Sequence, residues 1–229
     1  AGVNVQGYIA LIAKGKFLEA LDLIREKMPF AGVCGRICHH PCEDNCNRSE
    51  IDEPVSVRNL KRFAADYEKE LLEAGKSVER APSEMQEPAP QQKNGKIAVI
   101  GGGPAGLTCA HDLVKKGYQT TIFEAGPKPG GMMRTGIPEY RLPEDYLDYE
   151  ISLLIQDGIE LKTGQVYGRD FTMDDLRNAG FQSIFFAIGA QNPKKIPIEG
   201  GDLEGVQYGI PFLKQVSEGE KTALGKNVV

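Results

Sequence analysis

Between Ala98 and Glu124 the chain passes from an apolar run through a glycine cluster, a helical segment and a second apolar run to a single acid. Few folds accept that order. Ile97–Ile100 reads as a strand, and Gly101-Gly102-Gly103-Pro104-Ala105-Gly106 fits G-x-G-x-x-G. Leu107–Lys116 reads as a helix stopped by Gly117, and Thr120–Phe123 as a second strand ending at Glu124. Alone, the glycine pattern is weak; between a strand and a helix it points to a dinucleotide rather than an idle turn. Gly101 permits the tight turn, Gly103 lets the backbone approach a pyrophosphate, and Gly106 lets helix and strand pack closely. Pro104 and Ala105 open the helix, whose first N–H groups face the phosphate charge. Glu124 stands where a carboxylate accepts ribose hydroxyls and repels a 2′-phosphate, which disfavours NADP at this site. The motif does not separate FAD from NAD.

The rest of the chain divides around this unit. Phe17, Leu21, Ile24 and Met28 share one helical face ended by Pro29, and Leu60, Ala64, Tyr67 and Leu71 repeat the pattern up to Gly75. Residues 81–95 hold three prolines and little apolar surface, the composition of a linker. Further on, Asp174–Ala179 reads as a short helix and Ser183–Ile188 as a buried strand. Lys226–Val229 reads as the start of another strand, so the chain seen as a sequence stops inside a fold. A net charge of −5 argues against a nucleic-acid or anionic-membrane surface. The longest apolar stretches, Tyr8–Ala13 and Ile184–Gly189, are too short to span a bilayer. With no basic head before an apolar core at the N-terminus, the expectation is a cytoplasmic protein.

Four of the five cysteines, Cys34, Cys38, Cys42 and Cys46, lie within thirteen residues as C-x3-C-x3-C-x3-C. Inside a cell such a group favours metal or redox chemistry over disulfides. Thiolates are the usual ligands of iron–sulfur clusters, whereas structural zinc favours C-x2-C or C-x4-C pairs across a longer loop. The even spacing suits a cubane with one thiolate per iron; zinc and free thiols are the alternatives. His39 and His40 lie inside the segment, but four cysteines suffice without them. Cys109 and His111, on the helix after the glycine turn, read as packing residues. Asp145 with Asp148 and Asp174 with Asp175 read as solvated faces.

The stretch from Ile97 to Gly131 resembles the FAD domains of the two-dinucleotide flavoproteins, and Gly130-Gly131-Met132-Met133-Arg134-Thr135-Gly136-Ile137-Pro138-Glu139-Tyr140-Arg141-Leu142-Pro143 resembles the glutamate synthase small-subunit family. The likeness extends to the N-terminal half of dihydropyrimidine dehydrogenase and to the large subunit of NADH-dependent ferredoxin:NADP oxidoreductase. It implies FAD contacts from Gly101 through Ala105 and from Glu124, with Gly131, Met132 and Arg141 as further flavin-domain positions. Tyr167 would touch the adenine side through its backbone, and Ala187-Ile188-Gly189 would form a second small-residue motif near the cofactor. Cys34-Gly-Arg-Ile-Cys38-His-His-Pro-Cys42-Glu-Asp-Asn-Cys46, with Glu53-Pro54-Val55 and Asn59–Phe63, resembles that family's N-terminal iron–sulfur module. Relatives carry a second four-cysteine group upstream and share two [4Fe–4S] clusters between the groups. Some use Gln or Glu as a ligand where this chain has Lys61, so the resemblance points to Cys34 as the substitute.

The fold class expected is α/β: a helical [4Fe–4S] module over 1–80, a linker over 81–95, and the first part of a Rossmann-like FAD-binding domain of the two-dinucleotide type over 96–225. Residues 226–229 would begin a truncated NAD(P)H-binding domain. A flavin exchanges a hydride as an electron pair and passes electrons singly to clusters. The expected function is thus a flavin and iron–sulfur electron-transfer unit between NAD(P)H, as substrate of the intact protein, and ferredoxin-like centres. Its expected partners are other subunits of an oxidoreductase complex and ferredoxin. A glutamate synthase-type small subunit serving an amidotransferase, and a non-catalytic cluster-binding assembly module, are the alternatives. No side chain is expected to act as a general acid or base.

Overall fold

The computed structural model describes residues 2–78, 93–155, 158–220, 222 and 224–228. The chain forms two compact units, Ala1–Pro90 and Gln91–Val229. Most of the stretch read as a linker, 81–92, lies outside the described residues, as does Val229. Lys93 already belongs to the second unit, donating its N–H to the Gly117 carbonyl at 2.9 Å.

The first unit is helical. It runs α1 (Val5–Ala13), α2 (Phe17–Arg25), α3 (Ala31–Ile37), α4 (Pro41–Asp44), a 3₁₀ turn (Asn47–Glu50) and α5 (Val57–Glu73). The apolar faces of α1, α2 and α5 meet around Tyr8, Leu21, Ile24, Val57, Ala64 and Ala65. The Tyr8 hydroxyl is kept satisfied inside this core by donating to the Val57 carbonyl at 2.9 Å. Glu68, 2% exposed, is held by a two-pronged pair with Arg25 at 2.9 and 2.7 Å. Cys34 lies on α3, a helix for which the sequence offers no periodic signal. With Ala31, Gly32, Val33 and Gly35 buried, this seven-residue helix has no polar face to make a period visible.

The second unit runs β1 (Lys96–Ile100), α6 (Pro104–Lys115), β2 (Gln119–Phe123), α7 (Met132–Thr135), α8 (Glu144–Ile155), β3 (Glu160–Lys162), α9 (Met173–Asn178), β4 (Ser183–Phe186) and α10 (Gly209–Ser217). Its parallel sheet has the order β3-β2-β1-β4. Residues alternate across β1. Ala98 and Ile100 pack with Phe123, Phe171, Leu176 and Phe181 on one face, while Val99 turns towards Gly106 of α6 on the other. Two expectations need correction. The strand at 183–188 ends at Phe186 and is not buried: Phe185, Phe186 and Ile188 are 42%, 44% and 62% exposed. Among the described residues β4 is an end strand with β1 as its neighbour, and an apolar run is buried only where something packs on it. Nor do 226–228 form a strand, because a strand needs a hydrogen-bonding neighbour and Val228 is 71% exposed.

Candidate cofactor sites

In the second unit the chain leaves β1 outward to β2 and β3, then returns to the other side of β1 for β4. The strand order therefore reverses beside β1. In open parallel sheets the crevice beyond the strand C-termini at such a reversal is where ligands bind. The glycine turn lies there. Gly101 adopts φ +109°, and a Cβ on it would meet the Ala187 carbonyl oxygen at 2.4 Å. A Cβ on Gly106 would fall 1.9 Å from the Gly101 carbonyl oxygen. Gly103 differs: a Cβ there would meet only Gly131, at 3.8 Å, and would otherwise project into open space at the mouth of α6. No side chain caps α6, and Pro104 and Ala105 are exposed at its start. The N-terminal N–H groups are thus left for a ligand, and the empty space before Gly103 fits a pyrophosphate.

Glu124 closes the turn. Its carboxylate accepts the Gly102 N–H at 2.6 Å and the Gly126 N–H at 2.7 Å. Gly130 donates to the Gly102 carbonyl at 2.8 Å, and Gly131, at φ +50°, abuts Gly103. Two glycine turns therefore lie back to back, and Met132 begins α7 directly after the second. Arg134 anchors that second turn to α8 through the Pro129 carbonyl at 2.9 Å, Glu144 at 2.7 Å and Asp148. Lys128 shares both carboxylates. Asp148 is thus a structural partner as well as a half-exposed charge, and the solvent-exposed Asp175 likewise forms the capping box of α9 with Thr172. Sequence reasoning missed Gly126, Lys128 and Arg134; a glycine two residues beyond the strand-end acid was the only visible signal.

Of the remaining expected positions, Ala187 and Gly189 adjoin the glycine turn, whereas Tyr167 is placed by an aromatic cluster and Arg141 by a surface turn. Ala187 donates to the Ile100 carbonyl at 2.8 Å and sits against Gly101, while Gly189 takes φ +69° just beyond it. Tyr167 packs edge-on against Phe171 and Phe186. Arg141 is exposed on the turn before α8. Cys109 is half-buried on α6, and its burial pushes the thiol up.

In the first unit Gly35 lets α3 lie directly on α5: a Cβ there would meet Cα and Cβ of Arg62 at 2.8 Å. The start of α5 then ties down the cysteine segment. Glu43 accepts the Arg58 N–H at 2.8 Å, and the Arg58 guanidinium donates to the Cys38 carbonyl at 3.3 Å. His40, at φ +46°, is the one non-glycine residue with positive φ among the described residues, and this conformation directs its N–H to the Cys38 sulfur at 3.3 Å. N–H groups of Val55 and Arg48 hold the Cys46 thiol below its usual range. Backbone N–H groups aimed at sulfur favour thiolates, the form that binds iron. Among the described residues no three of the His, Cys, Asp and Glu side chains form a group that could hold a single metal ion. A cage of four irons asks something different, one thiolate per corner, and this donor chemistry fits it.

Residues 1–72 match the family described as dihydropyrimidine dehydrogenase domain II, 4Fe-4S cluster, and residues 99–161 match the NAD(P)-binding Rossmann-like domain. The chain is 40% identical to NADPH-Fe(3+) oxidoreductase subunit beta of Geobacter sulfurreducens, covering all of this chain and 33% of that protein. It is 37% identical to NADP(+)-dependent formate dehydrogenase subunit beta of Moorella thermoacetica over 95% of this chain and 32% of the relative. With the glutamate synthase [NADPH] small chain of Bacillus subtilis the identity is 33%, over 89% of this chain and 39% of the relative. The chain is a homologue of these oxidoreductase subunits. It spans about a third of the length of the first two. Among the described residues no helix is long and apolar enough to cross a membrane.

Proposed function

We propose that this chain is the flavin and iron–sulfur electron-transfer part of a cytoplasmic NAD(P)H-dependent oxidoreductase, with FAD on the glycine turn and a [4Fe–4S] cluster on the cysteine segment. The observation that carries the proposal is the pairing, within one chain, of an uncapped helix mouth at a strand-order reversal with a thiol-rich helical unit matched by a 4Fe-4S family. Bound FAD would take up a hydride as an electron pair and release single electrons, which clusters carry one at a time. The chain's own residues bind and orient. Gly101, Gly102, Gly103, Pro104, Ala105 and Gly106 offer backbone N–H groups and close approach. Glu124 accepts ribose hydroxyls; Gly131 and Ala187, which abut the glycine turn, and Met132, Arg141, Tyr167 and Gly189 are the further positions we assign to the flavin. Cys34, Cys38, Cys42 and Cys46 supply thiolates.

The partners we infer are other subunits of an oxidoreductase complex and a ferredoxin-like acceptor. The test uses the full-length protein, purified anaerobically. Bound flavin, iron and acid-labile sulfide are expected, with flavin absorption bleached by NADPH or NADH. Absence of flavin would leave only an assembly module. The likeness to a glutamate synthase small chain supports a second reading, an amidotransferase partner, which co-purifying subunits would reveal. Within the site, Glu124→Ala is expected to weaken FAD binding at least about tenfold, because hydrogen bonds to a charged group contribute roughly 1.5–3 kcal/mol. Fluorescence titration of the flavin-stripped protein measures this, and an unchanged affinity would remove Glu124 from the site.

A further inference from the structure

The second glycine turn, Gly130-Gly131, walls the space in front of Gly103. Gly131 takes φ +50°, and a Cβ on it would stand 2.9 Å from Cα of Gly103. Gly130 donates to the Gly102 carbonyl at 2.8 Å, and a Cβ on Gly102 would meet the Pro129 ring at 3.2 Å. The gap between the two turns is therefore set by where residues 129–131 are held.

Two cations reach from this segment to Glu144 and Asp148, which stand one turn apart on α8. Lys128 pairs with them at 2.8 and 3.4 Å and is half exposed. Exposed ion pairs contribute little, because solvent screens them and a long side chain is ordered to make them. Arg134 differs. Its side chain is only 13% exposed. Each of its three nitrogens has an acceptor: Nε donates to the Pro129 carbonyl at 2.9 Å, Nη1 to Glu144 at 2.7 Å, and Nη2 to Asp148. A planar guanidinium holds such acceptors at fixed angles, which a lysine ammonium on a flexible stem does not. Arg134 thus fastens the backbone of the second turn to α8, whose buried Leu147 packs at the Cβ position of Gly130.

We propose that Arg134 is a positioning residue for the bound dinucleotide: acting through Pro129, it sets the gap that receives the pyrophosphate without touching the ligand. This rests on the FAD reading made above. The competing role is ordinary stabilisation of the corner between α7 and α8, in which affinity for FAD falls only as the fold weakens.

The test titrates FAD into flavin-stripped full-length protein and follows thermal unfolding of the same samples. Wild type is compared with Arg134→Met, Arg134→Lys and Lys128→Met. Arg134→Lys keeps a cation for Glu144 and Asp148 but loses the fork, while Lys128→Met removes two ion pairs and leaves the Pro129 bond. Both Arg134 variants are expected to bind FAD at least about tenfold more weakly, the effect of losing one hydrogen bond to a charged group. Arg134→Lys is expected to do so while unfolding at the wild-type temperature. Lys128→Met is expected to lose less than about threefold. If Arg134→Met does not fold, Arg134→Lys decides alone. Wild-type affinity in Arg134→Lys overturns the proposal. So does a weaker affinity that comes with a lowered unfolding temperature in that variant, or an equal loss in Lys128→Met. Wild-type protein with neither flavin nor affinity for FAD would overturn the FAD reading itself, before any variant is compared.

Discussion

Alanine at position 106 is expected to strip the flavin from the protein and destabilise the second unit by about 3 kcal/mol or more, at or beyond the upper end of ordinary overpacking costs. The new methyl carbon would fall 1.9 Å from the Gly101 carbonyl oxygen and 3.2 Å from the Val99 side chain. A flexible side chain could swing away, but a backbone oxygen cannot move without moving the turn. Gly101 is itself pinned, because its N–H bonds the Phe123 carbonyl at 2.8 Å and its own Cβ position is filled by Ala187. The strain therefore has to lift α6 off β1, which displaces the N–H groups at the helix mouth. Flavin content per purified chain and the urea midpoint are the measurements. A Gly106→Ala protein with full flavin and an unchanged midpoint would show that the helix and the turn are not in the contact described.

The second large effect belongs to the first unit. Gly35→Val is expected to cost about 3 kcal/mol and to lower iron content sharply, with flavin retained. The Cβ would stand 2.8 Å from Cα and Cβ of Arg62 and 3.0 Å from its nitrogen, and valine adds two methyl groups to that collision. Because α3 carries Cys34 and runs into Cys38, separating it from α5 moves two thiols and breaks the Arg58 contact to the Cys38 carbonyl. Iron assay and thermal unfolding report the two consequences separately. Normal iron in a destabilised protein would mean that the thiols hold their arrangement without the α3–α5 contact.

What could be read from the sequence was local. The strand, glycine turn, helix and acid between Ile97 and Glu124 each follow from neighbours within a few residues, and the structure forms β1, α6 and β2 within a few residues of the expected bounds. The two long amphipathic helices of the first unit were legible for the same reason. The failures were questions of packing. Ser183–Ile188 reads as a buried strand by composition, but burial depends on what lies against it. α3 was invisible because a short helix buried on most sides shows no period. The shell that holds the cysteines, Glu43 to Arg58 and Arg58 to Cys38, joins residues 15 and 20 positions apart. Arg134 gave no signal of its own, because its partners Glu144 and Asp148 lie 10 and 14 positions along the chain. The cysteine spacing, by contrast, carried its chemistry openly, because thiolate ligands are recognised by residue type.

The Glu124 carboxylate has a consequence for selectivity. It is bonded at once to Gly102 in the first turn and Gly126 beyond β2, so the turn is tied together by the chain's own hydrogen bonds. Binding then incurs little of the roughly 1–2 kcal/mol per residue that ordering a loose loop would require. In the FAD site proposed above, the same carboxylate is the group that a 2′-phosphate would have to push aside. Doing so would release both glycine N–H groups and slacken the pyrophosphate cradle. A wrong nucleotide would thus meet repulsion and, in escaping it, lose the shape that binds its phosphates.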